Sequence, residues 1–143
     1  MSQTKIPVSK FMMKNFKSIS STCTIEDAAK IFYDENITSL MVLENNAFIG
    51  IITEQDLTAS TLVFGHKKDT LVKNIMTTSL VFVESTISIM DAANIMIEKQ
   101  IHKLPVMEND QIVGLISATD LMILFSMIKE EDLVKIIGAQ AGI

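Results

Sequence analysis

The chain has 143 residues, 48% of them apolar and 20% charged, with a net charge of −5 and a pI near 4.9. That composition fits one compact domain or two small fused halves, and it excludes a disordered chain and the basic footprint of a nucleic-acid-binding surface. All 12 basic residues are lysine, so the usual bidentate phosphate clamp, arginine, is absent. A lone cysteine, Cys23, excludes an intrachain disulfide and suits a reducing, cytoplasmic setting. The first residues, through Lys5, are polar and show no signal-peptide pattern, and apolar runs of about eight residues fall short of the roughly 20 that span a bilayer. No membrane association is expected.

In chain order, a short apolar segment, Phe16 to Ile19, reads as a strand. Thr24 with Asp27 three residues later reads as a helix start, and Ile25, Ala28, Ala29 and Phe32 recur at helical spacing. Two apolar runs meeting at Asn45-Asn46 predict a tight hairpin, because asparagine tolerates positive φ. Gly50-Ile-Ile-Thr53-x-x-Asp56 then leads from a strand into a second helix. Gly65-His66-Lys67-Lys68-Asp69 is polar and reads as a linker, with His66 as exposed punctuation. The same order follows again: an apolar segment Leu80 to Val83, a capped helix at Ser88/Asp91, a hairpin turning at Asn109-Asp110, and Gly114-Leu-Ile-Ser117-x-x-Asp120 heading a helix.

An offset of 64 positions superposes the halves without a gap: Met12 on Met76, Asp27-Ala28-Ala29 on Asp91-Ala92-Ala93, Gly50 on Gly114, and Asp56-Leu57 on Asp120-Leu121. A long period present twice indicates two fused copies of one unit. The predicted fold class is therefore α+β, two tandem β-α-β-β-α repeats packed around a pseudo-two-fold axis. Expected boundaries are 5–64 and 71–128, with a linker at 65–70 and a helical tail at 129–143. Units this small bury too little to stand alone, so their clefts are the default ligand sites.

The paired Gly-h-h-[Ser/Thr]-x-x-Asp motifs, the methionines Met12 and Met76, and the Leu104-Pro105-Val106 strand resemble the paired cystathionine-β-synthase (CBS) domain, or Bateman module, over roughly residues 5–125. The resemblance implies a regulatory module that binds an adenine nucleotide and acts on a partner protein, with the motif aspartate on the ribose hydroxyls and the serine or threonine near phosphate. It implies one site with Thr53 and Asp56, Thr38-Ser39 before the strand, and Thr70 and Ile75 lining the base. It implies a second with Ser117, Asp120, His102 and Lys103, where Ile6 and Phe11 line the base. Met41 stands where the second repeat has its strand proline, so the first repeat is the less typical one. AMP or an adenosine-like molecule is the expected ligand ahead of ATP, because arginine is missing, with ADP, ATP and S-adenosylmethionine as the other candidates. The ligand is regulatory, and no cofactor is required.

Each motif also has a purely structural reading as a capping box, and a dimerisation module without a ligand is the alternative function. An enzyme is disfavoured, since no nucleophile–base–orienter set and no phosphate-binding glycine loop occur. Two histidines 36 positions apart without a Cys or carboxylate cluster predict no metal site. Cys23 and the ten methionines read as core filler. The run Leu121-Met122-Ile123-Leu124-Phe125-Ser126-Met127-Ile128 is too apolar for a one-faced helix and predicts burial in a homodimer, followed by a short amphipathic helix from Lys129. The effector protein is not identified by anything in the sequence.

Overall fold

The computed structural model describes residues 5–140. Contacts among these residues form two units: a first, Asn15–Val81, and a second made of residues 5–14 together with residues 82–140. The chain is α+β with two copies of one β-α-β-β-α unit.

In the first unit, β1 (Ser18–Ser20) lies parallel to β2 (Ser39–Glu44), and β2 lies antiparallel to β3 (Ala47–Thr53), in the order β1-β2-β3. The hairpin turns on Asn45 and Asn46 at φ 52° and 63°, both left-handed, as a two-residue turn matched to the strand twist requires. Between β1 and β2 runs α1 (Ile25–Glu35). Thr24 caps it: its side chain accepts from the Asp27 backbone N–H at 3.2 Å, and Asp27 accepts from the Thr24 N–H at 2.9 Å. That pairing holds the Asp27 carboxyl below the usual range. Asn36, in the left-handed conformation, ends the helix. The apolar stripe of α1 meets one face of the sheet in a core of Ile19, Ala28, Phe32, Leu40, Val42, Ile52 and Val72, with Cys23 packed at its edge.

The second unit repeats this with β4 (Val83–Glu84), α3 (Ile89–Lys99), β5 (Lys103–Glu108) and β6 (Gln111–Ser117), turning on Asn109 and Asp110 at φ 52° and 61°. Both edge strands are shorter and lie further along the chain than the predicted Phe16–Ile19 and Leu80–Val83. Pro105 accounts for the shorter of the two. In the first unit the N–H of Met41 donates to the Lys17 carbonyl at 3.0 Å, and β1 pairs from Ser18↔Met41. Pro105 occupies the matching place on β5 and has no N–H to give, so β4 pairs only from Val83↔Val106.

Each sheet is completed by an arm from elsewhere in the sequence. Thr77 and Ile51 exchange two backbone hydrogen bonds at 2.9 and 3.0 Å, and Met13 and Leu115 do the same at 2.7 and 2.9 Å. Val72 and Val8, each in a 3₁₀ turn on its arm, are fully buried. The segment 5–14, expected in the first repeat, thus packs with the second unit, and residues 65–81 pack with the first. The stretch expected as a plain linker also serves α1: the Ile25 N–H donates to the Thr70 carbonyl (2.8 Å) and the Glu26 N–H to that of Lys68 (3.2 Å).

Both hairpins end in helices, α2 (Glu54–Thr58) and α4 (Ala118–Ser126), and α5 (Glu130–Gln140) follows. The predicted burial of the apolar run from Leu121 is not met within one chain. No residue of α4 is buried, and Met122, Ile123 and Phe125 are 69%, 51% and 58% exposed. The tail expected at 129–143 is helical as far as Gln140, and its remainder lies outside the described residues.

The arms sit close because β3 and β6 offer glycine. A Cβ on Gly50 would lie 2.6 Å from the Met76 sulfur and 2.9 Å from the Thr77 carbonyl oxygen. The thioether can swing away, but the carbonyl cannot move without breaking the Ile51–Thr77 bridge. Gly50→Ala is expected to cost about 1–3 kcal/mol, the usual range for overpacking. Equilibrium urea unfolding measures it, and wild-type stability would refute the tight-bridge account.

Candidate functional site

In the first unit β3 runs without a break into α2, so Thr53 is both the last strand residue and the helix cap. The Thr53 N–H donates to Asp56 Oδ2 at 2.9 Å, and the Asp56 N–H donates to Thr53 Oγ1 at 3.2 Å. Both motif side chains therefore have a structural duty, as the capping reading holds. The half-buried Asp56 also lines a cavity of about 230 Å³ with Ala59, Ser60, Phe64, His66, Asn74 and Ile75, all within this unit. Of the residues expected here, Asp56 and Ile75 form the wall. Thr53 is turned to its cap, Ser39 is buried in β2 opposite Thr53, and Thr38 supplies the carbonyl that accepts from the Glu54 N–H at 3.1 Å. Thr70 is committed to the start of α1.

Residues that sequence reasoning passed over form the rest. Beyond Thr58 the helix widens into a π-helical turn, Ala59–Val63, and Gly65 at φ +69° reverses the chain so that the His66 N–H reaches the Ser60 carbonyl at 2.9 Å. His66 is exposed, as expected of the linker, yet it is fixed. Its Nδ1 lies 2.9 Å from the hydroxyl of Ser60, which is 2% exposed, and its ring stacks on Phe64 with centroids 6.2 Å apart at 30°. A larger cavity, about 520 Å³, opens at the opposite end of the sheet along residues 18–22 and 43–46, but it holds no motif residue.

The second unit has the same cap with a different charge. The Ser117 N–H donates to Asp120 Oδ2 at 2.9 Å, and the Asp120 N–H donates to Ser117 Oγ at 3.1 Å. Lys103 is paired with Ser117 across β5 and β6, where the first unit has the neutral Ser39. Burial holds the Lys103 ammonium below the usual lysine range, and the Asp120 carboxylate partly opposes that shift. A lysine depressed in the folded state costs stability while charged. The cost is present at neutral pH and is relieved as pH rises through the folded pKa toward 10.5. His102 is exposed, and its carbonyl accepts from the Ala118 N–H at 2.9 Å. On the arm, Ile6 is 44% and Phe11 36% exposed, and the Ile6 carbonyl accepts from the Ile89 N–H at 2.8 Å. Among the described residues no His/Cys/Asp/Glu group is arranged to hold a metal, and no helix is long and apolar enough to cross a membrane.

Two sheet-and-helix repeats, each carrying a capped aspartate at the hairpin's end, define a tandem-repeat module rather than a single-site domain. The chain belongs to the CBS domain family, whose model matches residues 8–61 and 72–126. It is 29% identical over 112 residues to the CBS domain-containing protein YhcV of Bacillus subtilis, covering 78% of this chain and 80% of that protein. It is 33% identical over 112 residues to the inosine-5′-monophosphate dehydrogenase of Nitrosopumilus maritimus, covering 77% of this chain but only 22% of the dehydrogenase. Among solved structures, the CBS domain pair of protein MJ0100, in complex with 5′-methylthioadenosine and S-adenosyl-L-methionine, superposes with a TM-score of 0.76 at 25% identity, covering 86% of this chain and 98% of that one. The chain is thus a CBS pair, a module of regulatory type.

Asp120→Asn keeps an oxygen for the Ser117 N–H but removes the charge that lifts Lys103. Lys103 should then titrate still lower, read from the ¹³Cε shifts of labelled lysine against pH. An unchanged or raised value would show that the carboxylate does not act on it.

Proposed function

We propose that this CBS pair binds an adenosyl ligand at the two motif sites and passes the binding state to a partner protein through the geometry of a homodimer. The observation that carries the ligand reading is Asp56, which lines a cavity while one carboxylate oxygen serves its cap. Its other oxygen suits a ribose diol. The cavity is small for a whole nucleotide, since ligand pockets run to about 300–1,000 Å³. It therefore suits one end of the ligand. Asp120 takes the corresponding role in the second unit, with Lys103, His102 and Ser117 nearest the phosphate. Ile6 and Phe11 line the base there, and Ile75 does so in the first unit, while Thr70, Thr38, Ser39 and Thr53 support the elements around that cavity. The S-adenosylmethionine complex of MJ0100 supports the ligand class. No catalytic set is proposed.

Substitution separates the ligand role from the cap. Asp→Asn at 56 or 120 retains an acceptor for the cap and should leave the melting temperature close to wild type while weakening one of two binding events about 10- to 150-fold, the worth of a charged hydrogen bond of about 1.5–3 kcal/mol. Asp→Ala should lower both stability and affinity. Calorimetric titration with AMP and ATP in metal-free buffer reads this, and AMP should bind the tighter, because a lysine point charge cannot fork three phosphates. Unchanged affinity in both Asn variants would leave the motifs as caps, and no binding of either nucleotide by the wild type would favour a dimerisation module without a ligand.

The dimer reading rests on α4. Leu121 and Leu124 are half-buried and Phe125 is exposed, so this apolar face lies uncovered in the single chain. An uncovered run of this kind is what a self-complementary interface provides. Phe125→Asp should convert a dimer to a folded monomer in analytical ultracentrifugation, since the side chain is not part of the chain's own core. A wild-type monomer at micromolar concentration would end this reading.

A further inference from the structure

The two sites differ in one respect that the repeat does not explain. The first unit's cavity is walled by a stacked pair of rings, Phe64 and His66, with the imidazole anchored on the buried Ser60 hydroxyl. At the offset of 64 positions, Ser60, Phe64 and His66 correspond to Leu124, Ile128 and Glu130. The second repeat therefore carries neither ring nor anchor at the matching places. Phe64 is 70% exposed, although a phenyl ring of this kind ordinarily finds cover. The chain nevertheless spends a π-helical turn and a left-handed glycine on holding it beside Asp56.

We infer that Phe64 and His66 make the first unit's site a stacking platform for a planar heteroaromatic ring, so that this site demands the base of its ligand whereas the second site depends on the phosphate beside Lys103. The inference deepens the adenosyl reading and rests on it. A flat ring laid on Phe64 covers apolar surface that the fold leaves open. The anchored imidazole offers its remaining ring nitrogen, Nε2, to a heteroatom at the ring's edge, and Asp56 on the same wall meets the attached sugar. Stacking of a base on an aromatic side chain is sequence-tolerant but requires the ring. This site therefore discriminates between a nucleoside and a sugar phosphate.

The chain has two histidines, His66 in the first unit and His102 in the second, so their imidazole C–H proton signals report each unit separately. The full chain is titrated with adenosine and, separately, with ribose 5-phosphate, in wild type and in Phe64→Ala, with circular dichroism confirming the fold of the variant. Adenosine should move the His66 signal saturably, and Phe64→Ala should weaken that event about 5- to 150-fold, the range for losing one stacked aromatic. The affinity for ribose 5-phosphate read at His102 should stay unchanged in the variant, and ribose 5-phosphate should leave His66 unmoved. If Phe64→Ala titrates like wild type, or ribose 5-phosphate matches adenosine at His66, the stacking assignment is overturned while the adenosyl reading stands. Adenosine moving His102 alone overturns the stacking assignment in the same way. If adenosine moves neither histidine, both fall.

Discussion

The structure depends on one contact made twice: an arm of the chain laid antiparallel against the glycine of a hairpin strand. Without it each unit would be a three-stranded sheet with its helices and an unpaired edge at β3 or β6, and such an edge invites pairing with other chains. The arm satisfies that edge with two hydrogen bonds and seats a methionine over the glycine. It also buries one valine completely, worth about 1.5–3 kcal/mol. Because the arms come from residues 5–13 and from residues 71–77, each lies beyond the contiguous hairpin-and-helix segment that it completes. The same contact carries Ile6 and Phe11 into the unit of Ser117 and Asp120, and Ile75 into that of Asp56. Closing the sheet and assembling the candidate site are one event.

The capping box is the second constraint. A strand that runs straight into a helix leaves the first helical N–H groups without partners, and Thr53 with Asp56, or Ser117 with Asp120, supplies them. The Ser/Thr-x-x-Asp pattern occurs at four helix starts, three of them reciprocal boxes and the one at Ser88 a single cap, so the pattern alone does not separate a binding aspartate from a structural one. Surroundings do. Asp27 is exposed, and its lowered pKa is accounted for by Thr24. Asp56 and Asp120 are half-buried, the one facing a cavity and the other acting on a partly desolvated lysine.

Much of this was legible in the residues. The 64-position period, the paired Asn turns and the capping serines and threonines are local signals, and each is realised where the residues place it. The edge strands were not legible, because a two- or three-residue parallel strand has no periodicity of its own. Its limits come from its partner: the Met41 N–H extends β1, and Pro105 curtails β4. Unit membership was hidden for a similar reason, since contiguous boundaries cannot express an arm that packs at a distance along the chain. At His66, polar composition concealed a folded turn. The available signal was the departure from the repeat, two aromatic rings at Phe64 and His66 where the second half has Ile128 and Glu130.

That departure bears on how a pair of repeats acts as a regulator. Two identical sites would respond to one ligand at one concentration and could report only its amount. Here the arms and caps are held in common, while the chemistry beside each aspartate has diverged, rings in one unit and a partly buried ammonium in the other. Keeping a charged lysine partly out of water costs stability, and the Asp120 carboxylate offsets part of that cost. An exposed phenyl ring imposes no such penalty and gains only when covered. In the proposed reading the second site would therefore be tuned by charge and sensitive to salt, whereas the first would be tuned by apolar contact and largely indifferent to it. On the proposed adenosyl reading, a module built this way would distinguish ligands that share a ribose but differ in phosphate, and the exposed apolar face of α4 is the surface that the proposed dimer would use.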